Sequence, residues 1–198
     1  MRKAAITIWL IVLLGGIAAI FWHFEWAYAL PTPVPKNYKA VNTGAKIRLP
    51  FKTDSLNKPV FLHFFNPDCP CSRFNITHFK SLVKQYREKV AFIVVVINSE
   101  KEYSNKDIQG KFGLNIPVYF DRGIADACGV YSTPQAAIIS TDNKLFYRGN
   151  FNKSRYCTDK KSNYAQMALD SLLNKKYNPV FSPFAIKAYG CELPTCIN

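Results

Sequence analysis

Cys69 and Cys71, which flank Pro70, are the residues of this chain best suited to covalent chemistry. They lie where a short apolar run ends and an amphipathic stretch begins, a pattern that predicts a strand followed by a helix. Unpaired N–H groups and the positive end of the helix dipole favour a thiolate at such a junction, where cysteine pKa values fall from ~8.5 to ~3.5–7.5. The pattern therefore predicts thiol–disulfide exchange. A disulfide between Cys69 and Cys71 would close a very small ring. Such a disulfide should be strained and easily reduced, and therefore able to oxidise other thiols.

The first thirty residues predict membrane targeting. Arg2 and Lys3 precede an uncharged run from Ala4 to Trp22, whose length at roughly 1.5 Å per helical residue approaches the ~30 Å hydrocarbon core of a bilayer. The early cations stay on the cytoplasmic side, so the rest of the chain is expected outside it. We predict an uncleaved anchor. A signal peptide cleaved near 27–29, where Ala-Tyr-Ala has the small-x-small pattern, is the alternative.

Pro31, Pro33 and Pro35 predict a stiff spacer after this segment. The predicted organisation is an anchor or signal peptide at 1–30, a Pro-rich linker at 31–44, a folded domain at 45–176 and a cysteine-containing tail at 177–198.

Charge narrows the class of partner. Leaving out Arg2, Lys3 and Glu25 leaves 24 basic and 12 acidic residues in the exported part, a surplus of 12 that favours anionic partners or an anionic membrane surface. The basic residues are scattered, without a recognition-helix pattern, so we predict no nucleic-acid binding.

The six cysteines are expected to be paired, catalytic or metal-bound once exported. Cys191 and Cys196 are close enough to close a loop, whereas a bond from Cys157 to Cys191 would pin the tail to the domain. A structural bridge that pins the tail is the favoured interpretation, with its ends left open.

Short runs rich in Val, Ile and Phe at 59–65 and 90–97 predict buried parallel strands, and the apolar spacing between them predicts an amphipathic crossover helix. Further elements are predicted at 105–112 (helix), 116–120 (strand), near 125 (helical turn), 135–140 and 144–148 (hairpin), and from 164 to 173 (closing helix). This order predicts an α/β fold with a central mixed sheet flanked by helices, after one N-terminal transmembrane helix.

Two segments carry a resemblance to a known family. The segment Phe64 to Cys71 resembles the active-site turn of thioredoxin-like proteins, and Tyr131 to Pro134 resembles their cis-proline loop. Residues Cys128 to Val130, Ala137 to Ser140, Asp142 and Tyr147 to Gly149 extend the similarity to the redoxin branch, which includes membrane-anchored thiol-disulfide oxidoreductases and peroxiredoxins. The resemblance covers roughly residues 45 to 175 and implies the thioredoxin-like fold.

The resemblance also implies roles for single residues. It places Cys69 at the attacking position, and Thr133 and Pro134 at the loop that presents substrate backbone to it. Ser72 stands where the family's resolving cysteine would be, so Cys71 is predicted to be the resolving partner. His63 lies six residues before Cys69, where thioredoxins carry a buried acid, and is a candidate base. Cys128 replaces a usual aromatic, which indicates a small buried side chain.

The predicted function is an extracytoplasmic, periplasmic thiol-disulfide oxidoreductase acting on protein thiols or disulfides, with an unidentified redox partner protein and no cofactor or metal. Three alternatives stay open. A peroxiredoxin-like peroxidase would need Thr or Ser three residues before its cysteine, where this chain has Asn66, although Arg73 or Arg148 offers a cation. A Cu(I)-binding protein would use the two thiolates together with His63 or His78. Copper-chaperone relatives of this fold add a later histidine, which this chain lacks. A redox-inert adaptor would have both cysteines merely buried.

Overall fold

The structure is a computed structural model that describes residues 2–26, 30–51, 57–97, 101–154, 157–174, 176–177 and 179–193. The predicted cleavage pattern at 27–29 and Cys196 lie outside the described residues. The chain divides into two compact units, Met1–Pro31 and Thr32–Asn198.

The first unit is a helix. Helix α1 spans Arg2–Phe21 and continues as a π-helical segment, Trp22–Trp26. The two segments together are 25 residues long, and their most apolar window of 18 residues has a mean hydropathy of 2.5 and no buried side chain. By length and composition this helix is able to cross a membrane.

The second unit is built on a five-stranded mixed sheet in the order β3-β2-β1-β5-β6. Strands β1, β2 and β3 are parallel, and β5 runs antiparallel to β1. Strand β6 pairs antiparallel with β5 as a hairpin and therefore runs in the same direction as β1. A separate two-stranded sheet joins β4 to β7. The elements in chain order are β1 (Val60–Phe65), α2 (Pro70–Tyr86), β2 (Ala91–Val96), α3 (Asn105–Phe112), β3 (Val118–Tyr119), α4 (Arg122–Cys128), β4 (Ser132–Thr133), β5 (Gln135–Ile139), β6 (Leu145–Gly149), a 3-10 turn (Lys160–Ser162), α5 (Tyr164–Leu173), α6 (Pro183–Ile186) and β7 (Cys191–Glu192).

The core lies on both faces of the sheet. Every residue of β1 is buried, and its side chains alternate between two apolar clusters. One cluster packs β1 and β2 against α2 and α5, and the other packs the opposite face against α4. The predicted pair of buried parallel strands with a crossover helix is therefore confirmed.

Local sequence explains where the helices begin and end. Pro70 occupies the first turn of α2, where its missing N–H costs nothing. Ser104 and Asp107 form a capping box at the start of α3, and Gly113 ends that helix in the left-handed conformation (φ 60°).

The linker and tail predicted at 31–44 and 177–198 lie largely within the second compact unit. The Thr32 N–H donates to the Ala188 carbonyl at 2.9 Å, and Ala185, Ala188 and Leu193 are buried. The described tail is therefore a packed part of the domain, and within the predicted linker Thr32 contacts it.

Candidate functional site

The site forms where β1 ends and α2 begins. Cys69 is the residue just before α2, with extended backbone angles (φ −78°, ψ 123°), and its carbonyl accepts from the Arg73 N–H at 3.2 Å. The loop before it is fixed by Asn66, whose side-chain oxygen accepts from the Asp68 N–H at 2.9 Å and whose carbonyl accepts from the Cys69 N–H at 3.2 Å. This turn places the Cys69 sulfur at the N-terminus of a 17-residue helix.

The Thr133–Pro134 loop lies against Cys69. The Cys69 Sγ is 3.9 Å from the Thr133 carbonyl oxygen, and the peptide bond between Thr133 and Pro134 is cis. The structure thus brings together three of the predicted site residues, from segments more than sixty positions apart in the sequence. The arrangement matches what the resemblance implied.

The disulfide of Cys69 is the main departure from the sequence-based prediction. Cys69 is bonded to Cys191, with their Cα atoms 6.4 Å apart, and not to Cys71. A small, strained Cys69–Cys71 ring is therefore not the bond that the structure contains, and the oxidising character predicted from it does not follow for Cys69–Cys191. Cys71 is buried in the first turn of α2.

A tail-pinning bridge is therefore present, and its ends are Cys191 and the active-site Cys69. Strand β7 pairs antiparallel with β4, so that Cys191 lies opposite Thr133 and Glu192 opposite Ser132. The Leu193 N–H donates to the Tyr131 carbonyl at 3.3 Å. The tail thus runs as a strand along the loop predicted to hold substrate backbone. Cys191 therefore lies in the candidate site, where the sequence-based predictions did not place it.

Gly190, just before Cys191, makes this close approach possible. Its φ is +130°, a conformation that L side chains rarely adopt, and a Cβ at this position would collide with the Thr133 carbonyl oxygen. The Thr32 hydroxyl donates to the Gly190 carbonyl at 3.3 Å.

The tail upstream of Gly190 is held by Asn150, at the end of β6. The Asn150 side-chain amide donates to the carbonyls of Phe184 at 2.7 Å and Lys187 at 2.6 Å, and its backbone N–H donates to the Ala185 carbonyl at 2.8 Å. Asn150 is only 5% exposed, so these bonds are largely shielded from water.

His63, the candidate base, lies wholly inside the aromatic core. Its ring stacks on Phe79 with centroids 4.3 Å apart and meets Phe151 edge-on at 4.9 Å. Among the described residues neither ring nitrogen has a hydrogen-bond partner. Burial, with a smaller contribution from His78, lowers the pKa of His63 to about 3, so the ring is neutral at physiological pH. This environment favours a packing role over proton transfer.

Two features of the peroxidase alternative serve other purposes here. Asn66 is part of the turn, and its N–H donates to the Ser72 hydroxyl at 3.2 Å. The Arg148 guanidinium donates to the Tyr38 hydroxyl and the Gly129 carbonyl, both at 3.0 Å.

The structure also bears on the copper alternative and on Cys128. No group of three His, Cys, Asp or Glu side chains that could hold a metal occurs within the described residues. Cys128 is fully buried in α4, as predicted, and burial raises the pKa of its thiol to about 12.

The fold and motif order define a thioredoxin-like protein of the redoxin superfamily. The chain belongs to the family described as "Domain of unknown function (DUF6436)", whose profile matches residues 38–193.

Two proteins with similar sequences are named thiol-disulfide oxidoreductases. The chain is 31% identical over 105 residues to the thiol-disulfide oxidoreductase ResA of Bacillus thuringiensis (strain Al Hakam), which covers 52% of this chain and 58% of that protein. It is 28% identical over 90 residues to ResA of Halalkalibacterium halodurans, covering 44% of this chain and 51% of that protein. The chain thus spans about half the length of these relatives. A hypothetical protein from Sinorhizobium meliloti 1021 has the same fold, with a TM-score of 0.63 at 17% identity over 79% of this chain and 96% of that one.

Proposed function

We propose that this protein is a membrane-tethered thiol-disulfide oxidoreductase that exchanges disulfides with other proteins on the extracytoplasmic side, through Cys69. The observation that carries the proposal is the position of Cys69. Its sulfur lies at the N-terminus of α2, beside the Thr133 carbonyl, and is already part of a disulfide. The helix terminus stabilises a thiolate in that position. The Cys69 sulfur is therefore a good leaving group when its disulfide is attacked, and after reduction it is readily available as the nucleophilic thiolate.

The relatives named thiol-disulfide oxidoreductase support the same chemistry. Thr133 and Pro134 are proposed to contact the backbone of a substrate polypeptide. The substrates are protein thiols or disulfides, and a second redox protein would restore the starting state.

Helix α1 supports the tether, since it is long and apolar enough to span a bilayer. A signal sequence has the same properties, so we propose the anchor on the added ground that Trp22 and Trp26 suit a membrane interface. If the full-length chain is recovered in the soluble cytosolic fraction, the proposed topology is wrong. A mature N-terminus at Leu30 would retain export and refute the anchor.

The chemistry is tested by incubating the reduced protein with a protein disulfide and measuring the rate of thiol–disulfide exchange. Cys69→Ser should abolish the exchange. Cys128→Ser is the matched control, because that thiol is buried in α4 with a raised pKa and should leave the rate unchanged. Exchange at the wild-type rate in Cys69→Ser would refute the proposal.

A further inference from the structure

We propose that the tail strand Cys191–Glu192 is a built-in occupant of the substrate position and that Cys191 is the resolving cysteine for Cys69. This inference rests on the proposed function and adds to it a partner thiol and a means of releasing the substrate.

The backbone geometry supports the first half of the inference. Cys191 pairs with Thr133 in antiparallel register while its sulfur is bonded to Cys69. A substrate polypeptide that adds a strand to this edge and offers a cysteine to Cys69 would need the same backbone groups of β4. The tail and such a substrate therefore exclude each other.

The tail up to Ala188 is bound firmly to the domain, whereas the tail beyond Gly190 is able to detach from β4. Residues up to Ala188 are secured by Asn150, by Thr32 and by burial of Ala185 and Ala188. Beyond Gly190, the tail is joined to the domain by the two-residue pairing with β4, by the buried Leu193 side chain and by the disulfide. A two-residue strand pairing is short, so once the disulfide is reduced, opening at Gly190 releases Cys191 while the rest of the tail stays in place.

The exchange steps balance as follows for a substrate disulfide. The Cys69 thiolate attacks one substrate sulfur, which forms a mixed disulfide and releases the other substrate sulfur as a thiolate. The Cys191 thiolate then attacks the Cys69 sulfur, so that the Cys69–Cys191 bond forms and the remaining substrate sulfur leaves as a thiolate. The substrate gains two electrons and the protein loses two. Because β7 returns to the edge that the substrate occupied, resolution and release are one event.

A donor dithiol protein reverses the cycle. When the Cys69–Cys191 disulfide is formed, Cys69 is 3% exposed, whereas Cys191 is partly exposed. A donor thiolate therefore attacks the Cys191 sulfur and expels Cys69 as a thiolate, which the N-terminus of α2 stabilises. The second donor thiolate attacks the donor sulfur of this mixed disulfide, expels Cys191 as a thiolate and leaves the donor oxidised.

The test uses the reduced full-length chain in detergent, with oxidised glutathione as the probe, and follows the glutathione adduct on Cys69 by acid quenching and mass spectrometry. Because Cys191 belongs to the same chain as Cys69, its effective concentration at the Cys69 sulfur is about 1 mM. With about 10 µM free thiol as the only other resolving agent, the adduct should last roughly a hundredfold longer in Cys191→Ser than in the wild type. Cys128→Ser is the matched control, because its thiol is buried in α4, and it should resolve the adduct as the wild type does. Cys71→Ser tests the rival resolving cysteine.

Gly190→Ala provides an independent variant that keeps every thiol. Its added methyl group would collide with the Thr133 carbonyl oxygen, so β7 seats poorly and the adduct should persist longer than in the wild type. Lifetimes that are unchanged in Cys191→Ser but lengthened in Cys71→Ser would overturn the inference and leave the proposed function intact. Unchanged resolution in Gly190→Ala would refute the seating of the tail. Absence of an adduct on Cys69 in every variant would refute the proposed function itself.

Discussion

Reduction of the Cys69–Cys191 disulfide should lower the free energy of unfolding of the domain by about 5 kcal/mol. The two cysteines are 122 positions apart, so the bond closes most of the domain into one loop. An unfolded chain with that loop closed has far fewer conformations than an open one. Breaking the bond restores those conformations to the unfolded state and thereby favours it.

The magnitude follows from the loop length. For 122 residues, the chain-entropy relation gives a loss of about 16 cal/mol/K in the unfolded state, or about 5 kcal/mol at 25 °C. A bond from Cys69 to Cys71 would close almost no loop and would stabilise the domain little by this mechanism. The size of the effect therefore reports which cysteine is bonded to Cys69.

The assay is urea unfolding of a soluble form that begins at Thr32, followed by circular dichroism with and without reductant. For a domain of this size, about 5 kcal/mol corresponds to a fall in midpoint of roughly 2 M urea. Cys191→Ser should unfold at the lower midpoint under both conditions. The reasoning is refuted if the reductant leaves the wild-type midpoint unchanged, or if it lowers the midpoint of Cys191→Ser equally.

Two further predictions concern buried polar side chains. The pKa of His63 is about 3 in the folded domain and 6.5 as a reference for the unfolded chain, so its contribution to stability is complete above pH 6.5 and falls as the pH drops toward 3. Protonation of His63 alone should lower the free energy of unfolding by about 2 kcal/mol between pH 7 and pH 5. In urea unfolding, His63→Leu should remove that part of the pH dependence. An unchanged pH dependence in this variant would contradict the effect assigned to burial of His63. Asn150→Ala leaves two tail carbonyls without their donor and should cost roughly 2–4 kcal/mol by urea unfolding, whereas the exposed Asn115→Ala should change little. Equal stability of the two Asn variants would show that Asn150 does not hold the tail.

The elements of the fold could be predicted because their signals are local. The apolar runs at 59–65 and 90–97 became β1 and β2 because a strand covered on both faces must be apolar at nearly every position. The spacing of Phe79, Leu82 and Tyr86 likewise gave the buried face of α2. The approach of Pro134 to Cys69 came from family resemblance and could not have been read from spacing.

The partner of Cys69 could not be predicted, because nothing local distinguishes one long-range pairing of six cysteines from another. The choice depends on where the tail crosses the domain, which Asn150 and the buried Ala185 and Ala188 determine together. The one local signal was Gly190 directly before Cys191, since a glycine before a cysteine permits a close backbone approach. The neutral state of His63 was also hidden, because it depends on rings that come together only in the folded core.

The most direct test of the account is a redox titration of the full-length protein in glutathione buffers, with each cysteine quantified by alkylation and mass spectrometry. We expect Cys69 and Cys191 to become available to the alkylating reagent together, in a single two-electron transition. A transition in which Cys69 and Cys71 change together while Cys191 stays unchanged would contradict this expectation.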